Sequence, residues 1–375
     1  MAVAGAGLVG LSLAYELACL GAQVTVIDAG FPGRATDAGA GILSPSTTTD
    51  EDPQWWEMVQ GAGRHYPALL SRLAADGVDT SDAHYAVCGI LSIGLRPHED
   101  DWFAPFAQTV MRRSPGTIVE ITPDEARALF PPLGAVHRVL HHPGAARVDG
   151  RGMAEALRQA TRTRGVRFVE GVVSGVAERG GASRAVAAVR VAGQGDVACD
   201  ALAVTGGAWS AAMGEWLGTP LPITPTKGQI VHLATREETA AWPIAQPLLT
   251  HYLVPWPGGR VACGGTFEVE AGFDSSVTAA GLHELLRECL LVAPGLAGAE
   301  YLQTRVGLRP TSVDDRPVVG VLRGWSNAWV ATGHGANGLL QGPYSSRVLA
   351  HGISGHSVPS GEPPLPSTFD PQRFS

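Results

Sequence analysis

The glycine run GAGLVG at residues 5–10 constrains this chain more than any other feature. A short apolar stretch precedes it, and residues 11–20 follow without Pro or Gly before Gly21. This order is typical of a strand, a tight turn and a helix that bind a dinucleotide. The first glycine permits the turn, the second lets backbone approach a pyrophosphate, and the third lets the helix pack on the strand.

A second strand at residues 23–27 ends in Asp28, roughly 20 residues beyond the glycines. A carboxylate at this place binds the ribose hydroxyls of an adenosine. A glycine-rich turn in another kind of α/β protein is the alternative, but strand, helix, strand and acid are all in place. The motif alone does not distinguish NAD from FAD.

Length and charge narrow the class of protein. A chain of 375 residues can form two domains with buried cores. Its net charge of −8 argues against nucleic acid as a partner, and no apolar stretch is long enough to cross a bilayer. The five scattered cysteines lack metal or redox spacing, so we expect no bound metal and a cytoplasmic protein.

Beyond the glycine motif, βα units alternate with strand-rich stretches. The patterns predict a loop at residues 34–45 and helices at 53–61, 65–75 and 338–353. They predict strands at 253–255, 260–264 and 329–332. This order indicates an α/β protein with an α+β second domain. In this fold class a Rossmann-like domain is interrupted by a mainly antiparallel β-sheet domain.

Further motifs follow the glycine run in a characteristic order: DAGAGILSP, AVTGGAWS, PTKGQ, YLVPWPGGRVACGGTFE, VGLRPTSVDDRPVVG and ATGHGANGLLQGP. With them, nearly the whole chain resembles the FAD-dependent amine oxidases of the D-amino acid oxidase superfamily, especially glycine oxidase and its sarcosine-oxidase relatives. The resemblance implies a discontinuous FAD-binding domain at residues 1–82, 142–219 and 303–375. It implies a substrate-binding domain at residues 83–141 and 220–302.

The same resemblance implies the residues that contact FAD. They are Gly5, Gly7, Leu8, Val9, Gly10, Asp28, Ala38, Gly39, Gly41, Ile42, Val173, Gly206, Trp209, Arg309, Gly333, His334, Gly335, Asn337, Gly338 and Leu339. The sarcosine-oxidase branch attaches its flavin to a cysteine just ahead of its RPT segment. Residues 306–311 contain no cysteine, so we expect non-covalent FAD.

Arg309 and Tyr252 are the catalytic-site residues that the resemblance implies. A guanidinium can hold a carboxylate with two parallel bonds, and a phenol can donate its O–H to the same group. The alternative for Arg309 is a structural ion pair with the nearby Asp314 or Asp315. For Tyr252 it is simple packing within a strand.

Three further residues qualify the resemblance. Strand alternation should direct His251 to the face opposite Tyr252. The simplest interpretation of Lys227, the only lysine, is a solvated residue at a strand end. Several sarcosine-type relatives have a lysine near the flavin that activates oxygen, but that role does not map onto the PTKGQ segment, so Lys227 is not assigned a catalytic role. Ala336 stands where glycine oxidases commonly have a second basic residue, which leaves room for a bulkier or differently charged substrate than glycine.

The resemblance implies an oxidase that removes a hydride from the carbon next to the amine of a small or N-substituted amino acid. The imine would hydrolyse, and O₂ would become H₂O₂. Alternatives are a flavin dehydrogenase of the same fold, a biosynthetic oxidase that cleaves a C–N bond in a larger intermediate, a nicotinamide enzyme, and a non-catalytic flavoprotein subunit. The expected partners are a small-molecule amine and O₂, and homo-oligomerisation is left open.

Overall fold

The computed structural model describes residues 1–180 and 183–374. The α-helices of this part of the chain, α1 to α9, span Leu8–Cys19, Ala35–Ala38, Pro53–Ala75, Asp100–Arg113, Pro123–Leu129, Gly150–Thr163, Ser210–Leu217, Ala279–Val292 and Gly338–Ile353. The β-strands, β1 to β20, span Ala2–Ala4, Thr25–Asp28, Ile42–Leu43, Ala86–Val87, Ile90–Gly94, Val119–Ile121, Arg138–His142, Ala146–Arg147, Arg167–Glu170, Val173–Arg179, Ala185–Val191, Gly195–Ala198, Leu202–Val204, Ile223–Ala234, Ile244–Pro247, Tyr252–Trp256, Arg260–Gly264, Glu300–Ser312, Val318–Val321 and Ala328–Thr332.

A six-stranded sheet in the order β19-β20-β13-β1-β2-β9 carries the glycine motif. Every neighbouring pair in it is parallel except β19 with β20. Side chains along each strand point alternately to the two faces of the sheet. Val3 therefore packs with helices on one face, while Ala2 and Ala4 pack with the small sheet β10-β11-β12 on the other. This is the Rossmann-like unit that the sequence predicts.

An eight-stranded sheet in the order β18-β14-β17-β16-β15-β5-β7-β6 forms the second unit. It is antiparallel apart from the β15–β5 pair. Helix α8 covers one face through Leu285, Cys289 and Val292. The other face carries Ile230 and Val254 and is turned toward the glycine-rich unit.

The predicted fold class is confirmed, and the βαβ unit and the 253–264 hairpin form as expected. Two local predictions are wrong. The predicted loop at residues 34–45 contains α2 and β3, because β3 pairs with β8. The two helices predicted at 53–61 and 65–75 are one helix, α3, whose Gly61 and Gly63 give close contact to Pro363 and Pro45 rather than a break. The domain boundaries remain a prediction.

No helix in the described residues is long and apolar enough to cross a membrane. Three helices beside the six-stranded sheet, α1, α3 and α9, are joined through one buried carboxylate. Glu16 on α1 is 2% exposed and accepts hydrogen bonds from Arg72 on α3 and Arg347 on α9. Burial alone would raise the pKa of Glu16, but the two guanidinium groups outweigh it and hold the pKa below its ordinary value.

We expect Glu16→Ala to lower the free energy of unfolding by about 3 kcal/mol, because it leaves two cations without their shared partner. Urea-induced unfolding of the FAD-saturated protein measures the loss. Because the folded-state pKa is depressed, the loss shrinks as the pH falls through the carboxyl range and wild-type Glu16 is protonated. Asp200→Ala, which removes only an exposed pair with Arg179, should cost less than about 1 kcal/mol. If both variants lost the same free energy of unfolding, Glu16 would not be a buried ion-pair partner that stabilises the fold.

Candidate active site

One cavity of about 500 Å³ lies between the carboxyl ends of β1, β2, β13 and β20 and the face of the eight-stranded sheet that is turned toward them. Ligands of open parallel sheets bind at this edge, beyond the strand ends. The cavity is therefore shared by the glycine-rich unit and the antiparallel sheet. Its size is in the range of cofactor and small-molecule sites.

The glycine run brings the N-terminus of helix α1 to the cavity, where the first amide of the helix, that of Leu8, donates to Thr36 Oγ1 at 3.0 Å. Gly5 has φ +117°, and a Cβ there would overlap the carbonyl of Thr205 on the neighbouring strand. A Cβ on Gly10 would overlap Gly5 O, so the third glycine lets α1 lie on the turn. Gly7 caps α1 without a side-chain bond, and no acid occupies the first turn. This positive helix end suits a pyrophosphate.

Asp28 lies at the end of β2 beside this turn. Its carboxylate accepts hydrogen bonds from the Ala6 amide at 2.8 Å and the Gly30 amide at 3.1 Å, and Arg34 Nη1 lies 3.4 Å away. The backbone bonds fix the orientation of the carboxylate at the cavity wall. It is held where it can accept from the hydroxyls of a ribose.

A second helix N-terminus faces the cavity at α9. Asn337 caps α9 without a side-chain bond, and its first turn contains no acid. Beside it, His334 is buried, and burial lowers its pKa to about 4, so the imidazole is neutral. Its Nε2 contacts Ser345 Oγ at 2.9 Å, while Nδ1 is buried without a protein partner.

The structure brings nearly all the predicted site residues together. Those that line the cavity are Gly5, Gly7, Leu8, Val9, Asp28, Ala38, Gly39, Gly41, Ile42, Val173, Gly206, Trp209, Tyr252, Arg309, His334, Gly335, Asn337, Gly338 and Leu339. Gly10 and Gly333 do not line it. Gly10 lies behind the turn, and Gly333 packs against Ile223 and Val318.

Arg309 projects from β18 and is held by backbone carbonyls rather than by an acid. Its Nη1 donates to Thr266 O at 2.9 Å and to Lys227 O at 3.4 Å, and its guanidinium lies over Phe267. It forms no ion pair with any residue that the structure describes. The alternative pairing with Asp314 is not observed, since that carboxylate binds Arg373.

Tyr252 begins β16 and contributes the second predicted polar group. Its Oη and Arg309 Nη2 approach the same point beside Gly265. Burial raises the pKa of Tyr252 to about 12 although the guanidinium acts against it, so the phenol keeps its proton and can donate. His251 instead lies 2.9 Å from Glu284 on α8, on the opposite face as expected.

Two opposed glycines make room for this arrangement, and the sequence motifs did not single them out. Gly228 on β14 pairs with Gly307 on β18. A Cβ on Gly228 would overlap the Arg309 guanidinium, and a Cβ on Gly307 would lie 2.9 Å from Ala38 Cβ. The glycine in PTKGQ was the available signal, but its partner across the sheet could not be known.

The expectation of a solvated Lys227 is wrong. Its side chain is 1% exposed, with Nζ 3.1 Å from Asp274 Oδ2 and 3.6 Å from Glu268 Oε2. The two carboxylates belong to the segment at residues 265–277, which folds over β14 and compensates the buried charge. The same segment carries Phe267, which lies on Arg309, and Phe273, which packs on Trp209.

The cavity fits FAD on three grounds. It is lined by Gly5 and Gly7 of the nucleotide motif, it receives two helix N-termini that have no acid in their first turn, and one buried imidazole nitrogen beside α9 lacks a partner among the described residues. Two positive helix ends suit a cofactor with a pyrophosphate at one end and a ring that gains negative charge at the other. The fold and the cavity define an FAD-dependent oxidoreductase.

Comparison with known proteins agrees. A family model described as DAO, FAD dependent oxidoreductase, matches residues 1–351, and the chain belongs to this family. It is 37% identical to the uncharacterised oxidoreductase YurR of Bacillus subtilis and 30% identical to a glycine oxidase of Pseudomonas aeruginosa, each over 94% of both chains. The crystal structure of iminodiacetate oxidase from Chelativorans sp. BNC1 superposes with a TM-score of 0.88 at 34% identity, covering 97% of this chain and 98% of that one.

We expect the FAD to be released by acid. No cysteine lines the cavity in the part of the chain that the structure describes, so no thioether to the flavin is available. Precipitation with trichloroacetic acid should leave a colourless pellet and a yellow supernatant, measured by visible absorbance of both fractions. Yellow colour that remains in the pellet after washing would contradict non-covalent binding.

Proposed function

We propose that the protein is an oxidase of small amino acids, including N-substituted glycines, that uses O₂ and releases H₂O₂. The observation that carries this proposal is the cavity-facing guanidinium of Arg309, which has no carboxylate partner among the described residues. Leaving a cation at a largely enclosed wall is costly unless a ligand supplies the counter-charge. A substrate carboxylate is the simplest such ligand.

The proposed role of Arg309 and Tyr252 is to bind and orient that carboxylate. Arg309 Nη1 is held by Thr266 O, whereas Nη2 lies beside the Tyr252 hydroxyl. Nη2 and the protonated Tyr252 hydroxyl therefore offer two donors at one place. Fixing one end of the substrate in this way orients the carbon that carries the amine.

We assign FAD binding to the predicted residues that line the cavity. Bound FAD supplies the acceptor for the hydride equivalent that leaves the carbon next to the amine. The open N-terminus of α9 and the neutral His334 would stabilise negative charge that arrives beside them. The substrate leaves as an imine, and water hydrolyses it.

Two observations favour an N-substituted amino acid over glycine alone. Ala336 lines the cavity and contributes no charge and little volume. Among the similar proteins, one is a glycine oxidase and another an iminodiacetate oxidase, whose named substrate is a secondary amine.

The five free cysteines favour a reducing compartment, and we propose the cytoplasm.

Arg309→Ala should lower kcat/KM by about 30-fold or more, since losing a buried charge partner costs about 2–5 kcal/mol. Steady-state kinetics with the best amino-acid substrate measure the change. Arg190→Ala, at an exposed arginine, serves as the matched control and should retain wild-type kcat/KM. If the Arg309 variant also retains it, the carboxylate assignment is wrong.

An anaerobic substrate panel tests the proposed reaction itself. Glycine, sarcosine, D-amino acids, proline and larger N-alkyl amino acids are mixed with the purified yellow protein, and flavin bleaching is followed. We expect N-substituted glycines to bleach it, and readmitted air to restore the colour with stoichiometric H₂O₂. Bleaching without H₂O₂ formation would indicate a dehydrogenase. A flavin that no amine reduces would indicate a non-catalytic subunit.

A further inference from the structure

One more polar side chain in the cavity, that of Gln246, has no role in the proposed reaction. Gln246 on β15 lines the cavity, and its side-chain amide makes no hydrogen bond with any described residue. Its Oε1 is buried without a partner. A buried amide oxygen is costly to leave unpaired, so a donor on a ligand is expected to complete it.

The sheet register places Gln246 beside Tyr252. Ala245 pairs with Leu253 in the antiparallel β15–β16 ladder, which sets Gln246 opposite Tyr252. Opposed side chains on one face of such a pair lie in contact distance, about 5 Å apart at Cβ. Because β15 lies on the far side of β16 from β18, the order along the cavity wall is Arg309, Tyr252, Gln246.

Two hydroxyls from another segment lie near the same wall. Ser44 and Thr47 line the cavity, and the Thr47 hydroxyl donates to Ser44 O at 3.0 Å, which leaves its oxygen free to accept. Between them, Ser46 Oγ contacts His142 Nδ1 at 3.2 Å, and His142 Nε2 contacts Ser92 Oγ at 3.1 Å. Ser92 is the register partner of Gln246 on the adjacent strand β5. This chain of hydrogen bonds holds the 44–47 segment against the part of the sheet that carries Gln246.

The wall around Gln246 is polar but uncharged. The charged cavity residues are Asp28 and Arg34 at the nucleotide turn and Arg309 beyond Tyr252. Ala336 adds no cation. A second carboxylate on the substrate would therefore lose its hydration without gaining a counter-charge, whereas a hydroxyl or amide needs only hydrogen bonds.

We propose that Gln246, together with Ser44 and Thr47, binds a polar, uncharged arm on the nitrogen of the substrate. The preferred substrates are then N-substituted glycines whose second arm carries a hydroxyl or an amide. This inference rests on the proposed function for the placement of the carboxylate at Arg309. It makes Gln246 a specificity-determining residue and distinguishes this chain from an enzyme for a dicarboxylate.

The test compares N-(2-hydroxyethyl)glycine with sarcosine, whose methyl arm forms no hydrogen bond. In Gln246→Leu, the ratio of kcat/KM for the two substrates should fall roughly tenfold from its wild-type value. Gln108→Leu, at an exposed position on α4, should leave the ratio unchanged. A purely structural role for Gln246 would lower both rates together, and an unchanged ratio would overturn the proposal.

Gln246→Glu retains the size of the side chain and guards against a folding defect. It should still accept a bond from the hydroxyl arm, so that its ratio stays within about threefold of wild type. It should turn over iminodiacetate more poorly than the wild type, through like-charge repulsion. A wild-type enzyme that prefers iminodiacetate to N-(2-hydroxyethyl)glycine would also overturn the proposal.

Binding of unreactive ethers separates this inference from the proposed reaction. (2-Hydroxyethoxy)acetate and methoxyacetate replace the substrate nitrogen with oxygen, and their Kd values are measured from the perturbed flavin absorbance. The measured quantity is the Kd of methoxyacetate divided by the Kd of (2-hydroxyethoxy)acetate. This ratio should be roughly tenfold larger in the wild type than in Gln246→Leu. This ratio holds or fails whether or not any amine reduces the flavin.

Discussion

The structure depends on one close approach of backbone, at the opposed pair Gly228 and Gly307 in the β14–β18 ladder. Side chains at these two positions would occupy the space that Arg309 and helix α2 now fill. Leu308 also donates its amide to Gly33 O at 2.8 Å, so the nucleotide unit is bonded to the strand that carries the arginine. The cofactor side and the substrate side of the cavity are therefore positioned by the same stretch of β18. A shift in the register of this strand would move both at once.

Few charged side chains line the cavity, and they lie at its two ends. Carboxylate, guanidinium and helix N-terminus meet at the nucleotide turn, whereas Arg309 alone supplies the positive charge at the opposite wall. The remaining side chains of the lining are apolar or polar without charge, and the polar ones include Tyr252, Gln246, Ser44 and Thr47. Such an enclosed, weakly polar space strengthens each remaining electrostatic interaction, because little water competes with it. An arginine fixed by backbone carbonyls keeps its position without a neutralising acid.

Sequence reasoning recovered most of the fold because the glycine motif and strand periodicities are local signals. It also recovered most of the cavity wall, since motifs in a characteristic order implied residues from both sheets. It failed where contacts across the fold decide the outcome. The burial of Lys227 depends on acids about 40 to 50 residues away in sequence, and the continuous helix α3 depends on packing at Gly61 and Gly63. The unpaired amide of Gln246 could not be predicted either, because β15 has no motif of its own.

The burial of Lys227 also governs how the protein responds to amine-directed chemistry. It is the only lysine, and the 265–277 segment covers its ammonium group with Glu268 and Asp274. Acylating reagents and lysine-specific proteases therefore meet no lysine at the surface of the folded protein. Their reaction at Lys227 requires the segment to lift from β14, which would also remove Phe267 from Arg309 and Phe273 from Trp209. The rate of labelling at this one residue is thus a direct measure of how often the covering over the substrate arginine opens.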